Sequence, residues 1–307
     1  MIKKIKTFGR IVKNKPKGLI YALGDKRVFN WLPDKYYLKL LYWGETGKKL
    51  NLVNPQTYNE KLQWLKLYNR KPEYTKYVDK YAVRSYIAEI IGDEYLIPLI
   101  GVYNSIDEID WNSLPEKFVL KCTHGSSANI ICTNKKELNI KDVKGKLNKW
   151  MKKNWYWFGR EWPYKQVRPR IICEKFIEQN DGDELRDYRF FCFNGEPKFI
   201  TVDFSITNKK KTRRNLYDLE WNLMDEEISY PKELGIKVKK PEKLCEMINL
   251  SKKLSANIPH LRVDFYYIKE KIIFGEMTFF HQSGMGQIRP TKFDNQIGEW
   301  LKLPKTD

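Results

Sequence analysis

Two acidic residues and an arginine near the end of the chain have the types and spacing to hold a divalent metal. They lie in Leu261-Arg262-Val263-Asp264-Phe265-Tyr266-Tyr267 and Ile272-Ile273-Phe274-Gly275-Glu276-Met277-Thr278, two strand-like runs joined by the polar turn Lys269-Glu270-Lys271. Side chains alternate along a strand, so Arg262 and Asp264 share a face, and hairpin pairing brings Glu276 beside Asp264. Adjacent carboxylates repel unless a cation lies between them, and a hard ion such as Mg²⁺ suits oxygen ligands. The hairpin is therefore a candidate nucleotide–metal site. The simpler alternative is an exposed hairpin with scattered charges.

A second candidate is Phe118-Val119-Leu120-Lys121-Cys122-Thr123-His124-Gly125-Ser126-Ser127-Ala128-Asn129. It reads as a strand ending in lysine, a small-residue turn, and another strand. Small residues let backbone N–H groups approach phosphate oxygens, and the lysine adds a point charge. A strand follows the turn where a helix should start, so this is not a G-x-x-x-x-G-K-[ST] loop. The triplet Asp181-Gly182-Asp183 could hold a metal beside a nucleotide sugar, although acidic triplets are common in polar loops. The three histidines are scattered, at 124, 260 and 281, so a histidine zinc site has no support. Five cysteines without a C-x-x-C pair read as reduced, mostly buried thiols of a cytosolic protein, and nothing marks Cys122 as a nucleophile.

These residues need a scaffold, and 307 residues suffice for a substantial core and several subdomains. No apolar run approaches the roughly 18–20 residues of a spanning helix. The basic start Met1-Ile2-Lys3-Lys4-Ile5-Lys6 lacks a following apolar stretch or cleavage site, so no signal peptide is expected. With 57 Lys and Arg against 38 Asp and Glu, the net charge is +19, a field that attracts polyanions. No nucleic-acid motif accompanies it, and nucleic acid is not the expected partner.

Along the chain, Ile2, Ile5, Phe8, Ile11 and Val12 recur at helical spacing among lysines, a pattern that suits either an anionic membrane or a solvated surface helix. Thr57-Tyr58-Asn59-Glu60 is a capping box opening a helix with Leu62, Leu65 and Tyr68 on one side. Val83, Ile87, Ile90 and Ile91 mark a second helix stopping at Gly92. Strands begin after Pro115, at 117–121 and 129–132, followed by an amphipathic helix over 141–153. Trp155, Trp157 and Trp162 are close in sequence and suit core packing or sugar stacking. Further strands are expected at 170–177, 188–193 and 197–204, then a mobile loop at 207–214 and a helix over 244–254 started by Pro241. The reading is α+β, with a basic N-terminal region at 1–50, a helical subdomain at 51–115, and further subdomains at 116–180 and 181–307.

At this point the order of the motifs resembles a family. Asp79-Lys80, Lys121 with His124-Gly125-Ser126-Ser127, Glu174-Lys175-Phe176-Ile177, Arg262-x-Asp264 and Glu276-x-Thr278 follow the order of ATP-grasp ligases. Asn54-Pro55-x-Thr57-Tyr58-Asn59-Glu60-Lys61-Leu62-Gln63-Trp64-Leu65, Leu185-Arg186-Asp187-Tyr188 and Phe193-Asn194-Gly195-Glu196-Pro197-Lys198-Phe199 look like the teichuronopeptide-biosynthesis (TupA-like) branch. The resemblance spans roughly residues 40–305. It implies an ATP-grasp fold, two α+β subdomains clasping ATP between largely antiparallel sheets, with 116–180 as the lid and 181–307 carrying the metal residues.

The same resemblance implies roles for individual residues. Lys80 and Lys121 would hold ATP phosphates under the turn of His124, Gly125, Ser126 and Ser127. Glu174, Lys175, Phe176 and Ile177 would line the adenine, and Asp187 would meet the ribose, with Glu184 as its competitor. Arg189 and Arg214 would contact terminal phosphate or acyl phosphate, and Arg262 would stabilise developing charge. Asp264, Glu276 and Thr278 would bind Mg²⁺, expected as two ions; relatives often carry Asn where this chain has Thr278. Ser283-Gly284 reads as a plain turn or an acceptor-side loop, and His281 is near enough in sequence to join the site.

The activity implied is ATP-dependent carboxylate–amine ligation in cell-surface polysaccharide or teichuronopeptide synthesis. The expected partners are an acidic acceptor, either a uronic-acid polymer or polyglutamate, and an amine or amino acid. The expected location is cytoplasmic, at or near the inner face of the membrane. Two competitors are a glycosyltransferase using Asp181 and Asp183, and a non-enzymatic binder of polyanions or membranes.

Overall fold

Local sequence chemistry accounts for most of the elements in a computed structural model, which describes residues 18–178, 186–204 and 212–305. The pattern at 2–12, the Asp181–Asp183 triplet with Glu184, and residues 207–211 fall outside the described residues. Two compact units are distinguished. One comprises Met1–Arg70, Tyr156–Trp162 and Phe280–Asp307; the other comprises Lys71–Trp155 and Pro163–Phe279.

The second unit contains two antiparallel sheets. Strands β1 (Leu99–Tyr103), β2 (Phe118–Cys122), β3 (Asn129–Cys132) and β4 (Ile171–Lys175) form the first, in the order β1-β4-β2-β3. Alternation in β2 buries Phe118, Leu120 and Cys122, against which the helix Ile140–Met151 packs Val143 and Leu147. Strand β1 precedes Pro115, where strands were expected to begin, because its run Leu-Ile-Gly-Val-Tyr is short and only half-buried.

Next come β5 (Asp187–Phe193), β6 (Glu196–Phe204), β7 (Arg213–Tyr217), the two-residue β8 (Glu227–Ile228), β9 (His260–Ile268) and β10 (Lys271–Thr278). The second sheet has the order β10-β9-β5-β6-β7. The helix Leu244–Ser255 packs against β5, β6 and β9. Phe190, Val263 and Phe265 are buried on the face of this sheet where Cys192 meets Ser251 of that helix. Pairing of Arg189 with Asp264 and of Phe190 with Val263 then sends the charged residues to the opposite face.

The expected loop at 207–214 is corrected at its end: Arg213–Tyr217 pairs with β6 as an edge strand. The hairpin turn is also shorter than expected. Lys269 and Glu270, at φ 48° and 61°, make a two-residue turn and Lys271 opens β10.

In the first unit, the capping box forms as the sequence anticipates. Thr57 accepts from the Glu60 amide at 3.2 Å while Glu60 accepts from the Thr57 amide at 3.1 Å, opening Tyr58–Tyr68. Lys61 from that helix donates to the carbonyls of Gly298 and Leu301, closing the C-terminal end of Thr291–Trp300. Lys66, one turn on, is fully buried. Its ammonium donates to Gly159 O, Ser283 O and Ser283 Oγ at 2.7–2.9 Å. This bond set fixes Gln282 and Ser283 at φ 48° and 52°, a left-handed geometry costly for residues with a Cβ. The tryptophans at 157 and 155 serve packing. Arg160 lies 4.9 Å over the Trp157 ring and 4.2 Å over Tyr37, while Trp155 carries Lys153 at 4.9 Å.

Candidate functional site

A cleft between the two sheets of the second unit is lined by Lys80, Arg84, Lys121, Glu174, Phe274 and Glu276, among others. Asp79 accepts from the amides of Tyr81 and Ala82 at 2.8 and 3.2 Å and pairs with Arg170 at 2.7 Å, which fixes the chain at Lys80. The Lys80 amide donates to Thr123 O and its ammonium to Gly125 O, tying it to the small-residue turn. Burial pushes the Lys80 pKa down, with Glu276 opposing and Lys121 adding to the fall. Lys121 lies 2.6 Å from Glu174, which Arg84 also approaches at 3.4 Å. Antiparallel pairing of Val119 with Glu174 places the latter one strand from Lys121.

The turn itself is partly open. Ser126 and Ser127 are exposed, and Ser127 sits at φ 60°. Gly125 packs on Trp155, where an added Cβ would lie 3.3 Å from the ring. His124 does not point with the turn: it is buried, and its Nε2 lies 3.1 Å from Trp150 O. Beyond Glu174, Lys175 is exposed with its amide on Pro98 O, and Phe176 and Ile177 are half-buried.

Across the cleft, one face of the second sheet carries a row of charges. Glu276 pairs with Asp264, and Arg189 with Asp264 on the other side. A bulge between Phe274 and Glu276 sets this register, and Gly275 at the bulge packs 3.1 Å from Asp264 O, measured from the Cβ it lacks. Arg262 grips Asp264 with two bonds of 2.7 and 2.6 Å and reaches Glu276 at 2.8 Å. Thr278 donates to Glu276 at 3.2 Å. Arg189 donates to Asp187 at 2.7 Å and Asp203 at 2.6 Å, and lies 3.5 Å from Asp264. Arg214, one strand further, is fully buried and holds Asp203 with bonds of 2.6 and 2.7 Å.

Burial lifts Asp264 to about 6, with Glu276 adding to the rise and Arg262 opposing it. Burial also works against ionisation of Glu276, but Arg262, Lys80 and Arg189 outweigh it and hold its pKa below the usual carboxylate value. The donor set suits Mg²⁺: two hard carboxylates and a hydroxyl on neighbouring strands leave positions for phosphate oxygens and water. Among the described residues no group of three or more His, Cys, Asp or Glu side chains could hold a metal unaided. Burial raises the Cys122 thiol to about 11, so it stays protonated at neutral pH.

The structure thus gathers Lys80, Lys121, Glu174 and Glu276 around one cleft and joins Asp187, Arg189, Arg262, Asp264 and Thr278 in one face. Arg214 lies on the same face one strand further, at the far side of Asp203, and His124 is turned away. Arg84, Asp79 and Asp203 complete the network. Arg84 lies four residues past Lys80 and has no motif of its own. Asp203 could have been found from its alternation with Thr201 in the otherwise apolar run 199–204 of β6.

A family described as TupA-like ATPgrasp matches residues 60–302. No curated protein sequence matches the chain. Among solved structures, a D-alanine–D-alanine ligase from Helicobacter pylori is similar at 14% identity, covering 80% of this chain and 69% of that one, with a TM-score of 0.41. A RimK domain ATP-grasp protein from Sphaerobacter thermophilus is similar at 9%, covering 76% and 70%, with a TM-score of 0.41. A D-alanine–D-alanine ligase from Bacillus anthracis, complexed with ATP, is similar at 11%, covering 66% of this chain and 55% of that one, with a TM-score of 0.38.

Proposed function

The chain belongs to the TupA-like ATP-grasp family, and from that premise we propose that it is an ATP-dependent ligase that joins a carboxylate to an amine. The observation that carries this reading is the cleft in which Lys80, Lys121 and Glu174 face Glu276. A carboxylate is a poor acyl donor because its leaving group would be oxide. In the proposed reaction its oxygen attacks the γ-phosphorus of ATP, the bond to the β-phosphate oxygen breaks, and ADP leaves. The amine then attacks the acyl carbon, the C–N bond forms, phosphate departs, and the amine loses a proton.

Such transfer needs positioning and charge neutralisation more than covalent help. Lys80 and Lys121 bind the ATP phosphates, with the Gly125–Ser127 turn excluding water above them. Glu174, Lys175, Phe176 and Ile177 border the adenine, and Asp187 the ribose. Arg262 and Arg189 neutralise charge at the transferred group, and Arg214 acts through Asp203. Asp264, Glu276 and Thr278 would hold Mg²⁺, proposed as two ions, which supplies Lewis-acid neutralisation of the phosphate oxygens. In this scheme 116–180 is the lid, 181–307 carries the metal residues, 51–115 contributes Lys80, and 1–50 is a basic extension.

The acceptor is proposed to be an acidic polymer, a uronic-acid chain or polyglutamate, joined to an amine or amino acid in cell-surface polysaccharide or teichuronopeptide synthesis. The +19 charge supports a polyanionic substrate, and the use of ATP supports a cytoplasmic reaction. Phosphorus NMR with Mg-ATP, uronic-acid oligosaccharides, mixed amino acids and nucleotide sugars checks it. ADP and phosphate should appear only with acceptor and amine together. Asp264→Asn and Glu276→Gln should each lower turnover by about a thousandfold, comparable to losing a charge-stabilising donor. Full activity of both variants, or UDP release with ATP intact, would sink the ligase reading.

A further inference from the structure

The first 50 residues hold 13 Lys and Arg against three acidic residues, so a sixth of the chain supplies +10 of the +19. Within them the structure shows an unusual surface. Trp31 is 78% exposed, Tyr36 60%, Val28 49% and Trp43 37%. Among the described residues, the other large exposed aromatic is Tyr68. Three exposed rings therefore fall within 13 consecutive residues.

Their placement follows from the helix Asp34–Thr46. Its inward side is made of Tyr37, Leu38, Leu41, Tyr42 and Gly44. The helical period then leaves Lys35, Tyr36, Lys39 and Trp43 outward, alternating lysine with aromatic residues. The turn before the helix presents Lys26, Arg27, Val28 and Trp31, all exposed. Residues 26–43 contain one acidic residue, Asp34. Asp34 is turned to Arg70 at 2.7 Å, the Tyr156 hydroxyl at 2.6 Å and Arg160 at 3.5 Å.

We infer that residues 26–43 are a docking surface for an anionic lipid bilayer. Indole and phenol rings settle at the headgroup level with their polar atoms wet, and lysines beside them meet anionic headgroups. An acyl boundary takes exposed Val28 and the Trp31 ring out of water together, which the charges of a soluble polyanion do not. The contact is peripheral, since no helix among the described residues is long and apolar enough to cross a membrane. The inference does not depend on the ligase reading, because none of these residues belongs to the nucleotide cleft.

The test is co-sedimentation of the full chain with vesicles of phosphatidylcholine alone, or with about one-third phosphatidylglycerol. Binding to the anionic vesicles, weakened by added salt, and none to the neutral ones is expected. The double variant Trp31→Ser with Tyr36→Ser should lower partitioning by about tenfold or more, as should Lys35→Glu with Lys39→Glu. Both pairs are exposed, so unchanged thermal melting and unchanged ATP turnover without vesicles should accompany the loss. Failure of the full chain to sediment would overturn the inference. So would unchanged partitioning of the aromatic variant, which would leave a surface that binds polyanions through charge alone.

Discussion

Lys66 and Lys80 are both withdrawn from water, and each has its pKa pushed down chiefly by burial, Lys66 to about 8. They are held in opposite ways. Lys66 meets three oxygens, two carbonyls and a hydroxyl, which matches its three donors; it joins three separate stretches of the first unit. Lys80 is anchored through Gly125 O and otherwise sits in the field of Glu276, Glu174 and Asp79, with Lys121 opposing. A saturated cation can only hold structure. A cation on a cleft wall among carboxylates and a second lysine can exchange partners with an incoming phosphate. Burial of a charge therefore does not by itself mark function; what matters is how its donors are used.

Asp203 is where that division is hardest to keep, and its loss has the largest expected effect. On one side it holds buried Arg214 by two bonds, and on the other it holds Arg189 beside Asp264. Burial works against its ionisation, but Arg214 and Arg189 keep its pKa below the usual value. Asp203→Asn leaves a buried guanidinium uncompensated, so destabilisation of about 3–5 kcal/mol in urea unfolding is expected, with a fall in turnover even where the variant is folded. Full turnover in folded Asp203→Asn would assign this residue to structure alone.

The lysines themselves come next. Lys80→Met should lower kcat/KM for ATP by about a hundredfold or more, roughly 3 kcal/mol, and leave the melting temperature nearly unchanged. Lys66→Met should do the reverse. It strands three buried acceptors, a cost of about 2–3 kcal/mol after relief of the ammonium's desolvation, while nucleotide kinetics of the folded protein stay near wild type. If Lys66→Met lost ATP turnover at full stability, the contrast between the two would collapse.

How far these roles were legible in the sequence follows the range of the interactions. The Asp264–Glu276 pair was readable because a period-two pattern and a short polar turn act within 18 residues of each other, even though the turn proved one residue shorter than expected. The capping box was readable for the same reason. Lys66 gave no such signal: at helical spacing it looks like one more surface lysine, and its partners lie 93 and 217 residues away. Asp203 was hidden because Arg213 and Arg214, which open its pairing strand, fell within the expected loop at 207–214. His124 misled in the other direction. Its neighbours suggest a phosphate turn, but β2 ends so that the ring meets the Trp150 carbonyl.

His260 extends the comparison to a buried group held neutral. Its Nδ1 lies 2.7 Å from Phe279 O, and since a carbonyl only accepts, the ring nitrogen must donate. Burial is the main force pushing its pKa down to about 4, with Arg262 adding to the fall. The unfolded chain binds the proton near pH 6.5, so between the two values the unfolded state holds more protons and stability falls with acid. This group alone should remove about 1 kcal/mol from about pH 7 to about pH 5.5, and about 3 kcal/mol once the pH is below the folded value. Urea titrations of the native protein and His260→Asn isolate it from the carboxylates. Their stabilities should converge on acidification, because the variant carries no proton-linked loss at this position. Parallel curves would mean that His260 takes up its proton as readily in the fold as in the unfolded chain, its charge compensated, like that of Lys66, by its neighbours.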